Sequence, residues 1–71
     1  MRLSHRQIVG QRIRACRRQA HLTQEKLAEK ADLTYKYVGE VERGVVNISL
    51  DSLARIAKAL RVRLRDLVDE L

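Results

Sequence analysis

The chain has 71 residues, one cysteine and a formal net charge of +6. That length limits it to one domain with a small core, and 45% hydrophobic residues exclude the composition of a disordered chain. A single cysteine permits no internal disulfide, and no apolar run is long enough for a signal peptide or a membrane-spanning helix. We therefore predict one folded domain over residues 1–71, located in the cytoplasm.

The positive charge is concentrated in the first third of the chain. Residues 1–22 contain six arginines and no acid, whereas residues 66–71 contain three acids and no base. This asymmetry favours a polyanionic partner on one side of the molecule. Judged from the charge alone, the alternative is equally good: a solvated cationic face that keeps a small protein soluble.

The first helix is predicted over residues 5–20. Val9, Ile13, Cys16 and Ala20 are spaced by four, three and four residues, which places them on one face of a helix. Cys16 lies on this apolar stripe, so we interpret it as a small core residue and not as a reactive thiol.

Two short helices are predicted next, within about residues 24–43. Thr23 precedes the first and Thr34 the second, and threonine is a good N-cap residue. Asp32 stands in the turn between them, where a left-handed backbone is expected and aspartate tolerates it better than most residues. Gly44 is the expected end of the second helix.

Two more helices are predicted in the last third of the chain. Ser49 is a candidate N-cap for a helix over residues 50–60, and a final helix is predicted to run to the C-terminus. The apolar residues that indicate these helices recur every three or four positions: Leu50, Leu53, Ile56, Ala57, Leu60, Leu64, Leu67, Val68 and Leu71. The chain has no proline and no strand pattern, so the predicted fold is all-α, a compact five-helix bundle.

The second and third helices match the requirements of a helix-turn-helix, two helices joined by a turn of three or four residues. Small residues are needed where the helices cross, and Ala28 and Ala31 supply them. Leu33, Val38 and Val41 are placed to lock the third helix against the first two. A bare helix-turn-helix pattern is a weak signal by itself.

Four segments in order, LTQEKLA, VERG, ISLDSL and IAKAL, make the signal stronger. With them the chain resembles the phage-repressor type of helix-turn-helix protein, the Cro/cI or Xre-like family, over roughly residues 8–68. The resemblance implies a lambda-repressor-like DNA-binding domain whose third helix, 34–43, enters the major groove of double-stranded DNA. It implies a sequence-specific transcriptional regulator, of the kind that includes phage and plasmid repressors and the controller proteins of restriction–modification systems, which regulate their own operon.

The resemblance also implies roles for individual residues. Base-edge contacts are expected from Tyr35, Lys36, Gly39 and Glu40. Phosphate contacts are expected from Gln24, Tyr37, Arg43, Asn47 and Arg17. The resemblance further pairs Arg17 with Glu42 in a buried ion pair that ties helix one to helix three.

Several of these positions have a purely structural alternative. Lys36 and Glu40 are four residues apart and would form an ordinary helix-surface pair. Gly39 would be a tolerated surface glycine, Gln24 a polar residue of a first helical turn, and the ring of Tyr37 would pack against helix one.

Three residues depart from the family pattern. Asp32 replaces the usual glycine of the turn, and Glu40 stands where basic or amide residues are common. Arg63 occupies the N-cap position of helix five, where serine is typical, so we expect that helix to start poorly. The acid at Glu40 leaves the operator sequence open.

The resemblance implies a homodimer on an operator with two-fold symmetry, with half-sites about 34 Å apart. The expected interface residues are Ile48, Leu50, Leu64, Val68 and Leu71. The alternative is that these side chains only complete the core of the monomer.

Other functions remain as alternatives. A DNA-binding antitoxin or interaction adaptor of a toxin–antitoxin module is one, and non-specific RNA or membrane binding through the first helix is another. His5 and His21 have no cysteine or acid at ligand spacing, and no nucleophile or nucleotide motif is present. We therefore expect no enzyme, no metal, no cofactor, no membrane association and no small-molecule effector.

Overall fold

Five helices and no strand make up the part of the chain that the computed structural model describes, residues 2–71. In chain order they are α1 (His5–Gln19), α2 (Gln24–Ala31), α3 (Tyr35–Arg43), α4 (Leu50–Leu60) and α5 (Leu64–Val68). The predicted all-α, five-helix fold is confirmed. Helices α1 and α2 pack against the inner side of α3, α4 packs against α2, and α5 packs against α1 and α4.

The helix starts follow from local side-chain chemistry. The predicted N-caps are confirmed, because the hydroxyl groups of Thr23, Thr34 and Ser49 accept hydrogen bonds from backbone N–H groups three residues ahead. The first helix begins with a feature that the sequence prediction missed. Ser4 accepts from the N–H of Gln7, and the Gln7 side chain accepts from the N–H of Ser4, which is a complete capping box.

The turn between α2 and α3 has the predicted left-handed residue. Asp32 has φ 56° and ψ 47°, and its N–H donates to the carbonyl of Glu29 at 3.3 Å. Gly44 ends α3 with φ 72°. Because Asp32 and Gly44 each turn the chain directly after a helix, α3 is a short, separate helix of nine residues.

The core is aliphatic, as two tyrosines and no other aromatic residue require. Ala20, predicted on the apolar stripe of α1, is instead exposed, because α1 ends at Gln19. Cys16 is half-buried beside the core. The buried apolar residues are Val9, Ile13, Leu27, Ala28, Ala31, Val38, Val41, Leu53, Ile56, Ala57, Leu60 and Leu67.

Helix α1 approaches α3 closely at Gly10. A Cβ atom at this position would overlap the carbonyl oxygen of Val41 and lie 2.8 Å from that of Glu42. Only a glycine permits this backbone contact, which fixes the depth at which α3 sits against α1.

The prediction that α5 runs to the C-terminus is wrong. The helix ends at Val68, because Asp69 is extended at φ −62° and ψ 139°. The acids that follow Val68 oppose the negative end of the helix dipole, which disfavours further turns. Arg12 holds this end of the chain, donating from Nη1 to the carbonyl oxygen of Asp69 at 2.6 Å.

The start of α5 lacks the hydroxyl of a typical cap, as the arginine at the cap position predicts. One half of a capping box is present, because Oδ2 of Asp66 accepts a hydrogen bond from the N–H of Arg63 at 2.9 Å. One acceptor therefore starts this helix of five residues.

Candidate nucleic-acid interface

The outer face of α3 carries the predicted base-reading residues. Val38 and Val41 point into the core, so the remaining sides of the helix face outward. Tyr35 is 57% exposed, Lys36 is exposed and Glu40 is half-buried. Three of the four predicted residues therefore present side chains to the outside on one short helix.

Lys36 and Glu40 are not paired with each other. Within residues 2–71 the ion pairs are Arg17–Glu42 and Lys26–Glu29, so the predicted alternative of a Lys36–Glu40 surface pair is not formed. Both side chains keep their charged groups available to a ligand.

Gly39, the fourth predicted base-reading residue, is buried by side chains that lie over it. A Cβ atom here would be 3.2 Å from Nη1 of Arg43 and 4.0 Å from Oε1 of Gln24. These residues, together with Tyr35 and Lys36, line a depression of about 220 Å³. The outer face of α3 is thus concave at its middle.

Behind this face lies a buried network centred on Glu42. Arg17 donates to it from Nε at 2.6 Å and from Nη2 at 3.1 Å, and Gln24 donates from Nε2 at 2.9 Å. Arg17 also donates from Nη1 to the carbonyl of Leu22 at 2.8 Å. The side chains of Arg17 and Glu42 are only 11% and 2% exposed. Charge-assisted, bidentate bonds of this kind hold α1, α2 and α3 in one arrangement.

This network decides between the two roles predicted for Arg17. Its Nε, Nη1 and Nη2 atoms are all committed inside the protein, so the structure places Arg17 in the ion pair with Glu42 instead of on the phosphate-binding surface.

The same network limits what Gln24 can do. Its amide nitrogen is used by Glu42, so the side chain presents its carbonyl oxygen outward. The backbone N–H of Lys26 is used by the Thr23 hydroxyl, whereas those of Gln24 and Glu25 have no partner within the helix, and free N–H groups at a helix start suit an anion.

The remaining predicted phosphate contacts are Tyr37 and Arg43 on α3 and Asn47 in the loop that follows it. Tyr37 is half-buried and lines a depression with Leu33, Thr34 and Ser52. Its ring therefore lies beside the α2–α3 turn and the start of α4.

Asn47 lies in the loop between α3 and α4 and is joined there by a residue that the sequence prediction missed. Arg6 donates from Nη1 to Oδ1 of Asn47 at 3.3 Å. This leaves the amide nitrogen of Asn47 as a free donor next to a cation. The arginine-rich first helix was the only sequence feature that pointed to a basic residue here, and it did not distinguish Arg6 from the other arginines.

The predicted interface residues belong to α4, α5 and the segments that flank them. Leu50 is 69% exposed and Leu71 is 43% exposed, whereas Ile48, Leu64 and Val68 are half-buried against the core. We call these five residues the α4–α5 edge. Both predicted alternatives are partly visible here, because three residues contribute to the core and two do not.

None of the helices in residues 2–71 is long and apolar enough to cross a membrane. Over the same residues, no three histidine, cysteine, aspartate or glutamate side chains come together as metal ligands.

The fold and the outer face of α3 together define a helix-turn-helix protein. The helix-turn-helix family matches residues 13–67. The chain belongs to this family, which confirms the resemblance drawn from the sequence.

Two known relatives are similar over most of this chain. The control protein C.BamHI of Bacillus amyloliquefaciens is 43% identical over 65 residues, which cover 90% of this chain and 80% of that protein. The immunity repressor protein of Bacillus phage phi105 is 45% identical over 62 residues, but this chain spans only 43% of its length.

Two solved structures are similar in both fold and sequence. The restriction–modification controller protein C.AhdI from Aeromonas hydrophila superposes with a TM-score of 0.86 at 42% identity, covering 87% of this chain and 94% of that one. The biofilm regulator SinR in complex with DNA gives a TM-score of 0.82 at 32% identity, covering 86% and 98%.

Proposed function

We propose that this protein is a sequence-specific transcriptional regulator that binds double-stranded DNA with α3 in the major groove. The observation that carries the proposal is the contrast between the two sides of α3. Its inner side is locked by Glu42, whereas its outer side presents the unpaired groups of Lys36 and Glu40. A rigid helix with free polar groups on one face is what base-edge recognition requires.

The outward side chains suit defined base edges. Lys36 donates to O6 and N7 of guanine, and Glu40 accepts from N4 of cytosine. Tyr35 packs against a thymine methyl group or donates to a phosphate. Because a carboxylate in the major groove is repelled by phosphates, Glu40 favours cytosine only where a cation offsets that repulsion.

Contacts with phosphates on both sides of α3 fix the register of the protein on the duplex. They come from the N–H groups at the start of α2, the hydroxyl of Tyr37, the free amide nitrogen of Asn47 and the guanidinium of Arg6. Such contacts carry affinity and its salt dependence but little sequence information.

The proposal includes a homodimer on a two-fold symmetric operator. One α3 helix covers few base pairs, so a second copy is needed for a specific site. The α4–α5 edge supplies the interface, and half-sites lie about 34 Å apart.

Within the family, the control protein C.BamHI and the controller C.AhdI favour a controller of a restriction–modification system that regulates its own operon. The phage immunity repressor keeps a phage-type repressor as the second candidate. The proposed regulator acts in the cytoplasm and uses no metal, cofactor or small-molecule effector.

Selection from a random duplex-DNA pool, followed by affinity measurements over a range of salt concentrations, tests this function. We expect a consensus with two-fold symmetry and a steep loss of affinity with salt. Lys36→Ala should abolish the preference at one base pair of each half-site. The matched control Lys58→Ala removes an equal charge from an exposed position on α4 and should leave the consensus unchanged. Tight binding without sequence preference would overturn the proposal.

A further inference from the structure

We propose that Arg43 reads a base edge, most simply a guanine, and that Gly39 is the residue that allows it to do so. This inference rests on the proposed function and deepens it, because the family resemblance assigns Arg43 only to phosphate binding. It concerns which atoms of the α3 surface carry sequence information.

The position of the Arg43 side chain is the first argument. Arg43 follows Gly39 by four residues and Lys36 by seven, so all three share one face of α3. Side chains on a helix lean toward its N-terminus. Accordingly, Nη1 of Arg43 lies 3.2 Å from where a Cβ of residue 39 would be. The guanidinium therefore lies over the middle of α3, among the base-reading residues, and does not extend toward the flanking loop.

Gly39 supplies the second argument. A glycine inside a helix costs about 1 kcal/mol relative to alanine, and Gly39 is neither at a turn nor at a positive φ. Its backbone geometry therefore gives no reason for a glycine. The guanidinium of Arg43 lies close against the space that the missing Cβ leaves, with Nη1 3.2 Å from that position, which accounts for the residue.

The surroundings of the guanidinium supply the third argument. It lines the 220 Å³ depression with Gln24, Tyr35 and Lys36. Glu42 holds the amide nitrogen of Gln24, so the carbonyl oxygen of Gln24 faces the same depression, 4.0 Å from the position of a Cβ on Gly39. An acceptor held in place on one side of the depression limits the orientations open to the five N–H donors of the arginine.

The chemistry of an arginine placed in this way points to guanine. Its planar fork matches O6 and N7 of guanine in the major groove, which is the most frequent specific contact between a protein and DNA. A lysine keeps the charge but replaces the rigid planar fork with a single ammonium group on a flexible stem, so the exchange is not conservative at such a contact.

The test compares variants of the full chain on the duplex recovered by selection and on a panel in which each base pair is replaced in turn. Arg43→Ala should erase the preference at one base pair of each half-site, a discrimination of roughly 5- to 150-fold. Arg43→Lys should lose the same preference although it keeps the charge. Gly39→Ala should keep the helical circular dichroism spectrum, since the nearest atom is the end of a flexible side chain, and it should weaken that same preference.

Arg6→Ala is the matched phosphate control. It should weaken binding to every duplex in the panel alike and reduce the slope of log affinity against log salt by about one for each chain. If Arg43→Ala behaves as Arg6→Ala does, or if Arg43→Lys restores the full preference, the inference is overturned while the proposed function stands. If the wild-type chain selects no consensus, the proposed function itself has failed.

Discussion

The contact between α1 and α3 and the α4–α5 edge differ in how completely one chain satisfies them. At the first, backbone meets backbone at Gly10, and the buried carboxylate of Glu42 has three donors. At the second, Leu50 and Leu71 remain exposed, and α5 has only five residues.

This difference indicates that the α1–α3 contact serves the stability of one chain, whereas the α4–α5 edge serves the assembly of two. The α1–α3 contact positions the DNA-facing helix and is finished within one chain, so changes there should unfold the protein. The α4–α5 edge leaves apolar area in water, which a second copy would cover with a gain of about 25 cal/mol for each Å² buried. Changes there should separate copies without unfolding them.

The largest expected effect comes from removing the centre of the buried network. Glu42→Ala leaves the guanidinium of Arg17 buried without its partner, which typically costs about 3–5 kcal/mol. A domain of this size loses roughly 4–8 °C in Tm for each kcal/mol, so thermal denaturation should show a fall of more than 10 °C or no folded state.

The control for this prediction is Glu29→Ala. It breaks the exposed ion pair with Lys26, and exposed pairs contribute little, so its Tm should stay near the wild-type value. Equal shifts in the two variants would show that the buried network does not hold α3.

A smaller loss of stability is expected from closing the gap between α1 and α3. Gly10→Ala places a Cβ against two backbone carbonyl groups of α3, and overpacking of this kind costs about 1–3 kcal/mol. Urea denaturation measures it. Gly39→Ala is the matched glycine, because its Cβ meets only a flexible side chain, and it should be neutral or stabilising. A Gly10→Ala variant as stable as Gly39→Ala would contradict the close contact.

The smallest effect on folding is expected at the α4–α5 edge. Leu50→Glu and Leu71→Glu should leave the helical circular dichroism signal unchanged, since both side chains are exposed, but weaken self-association at least about tenfold, because a charge is placed in an apolar interface. Sedimentation equilibrium should move from twice the chain mass of 8.2 kDa toward the chain mass. Leu3→Glu, at another exposed leucine, serves as control; a wild-type chain that is already monomeric at every concentration would refute the interface.

Local signals in the sequence predicted most of the fold. Thr23, Thr34 and Ser49 could be placed as caps, and Asp32 as a left-handed residue, because each acts on backbone groups within a few positions. The Ser4–Gln7 capping box was equally local and was missed. The end of α5 was misjudged because apolar periodicity continues to Leu71, although the acids between work against a helix.

The parts that could not be predicted depend on contacts between distant segments. The need for glycine at Gly10 arises from α3, some thirty residues later. The pairing of Arg6 with Asn47, and the position of Arg43 over Gly39, depend on how side chains settle once α1, α2 and α3 have packed. The face of α3 was predictable from periodicity, whereas the role of each residue on that face was not.

Hydroxyl-radical footprinting of the wild-type protein on the duplex recovered by selection tests the central claim most directly, that two copies read a two-fold site with their α3 helices. The account predicts two equivalent protected patches on one side of the duplex, with centres about 34 Å or one helical turn apart. A single protected patch, or uniform protection along the whole duplex, would contradict it.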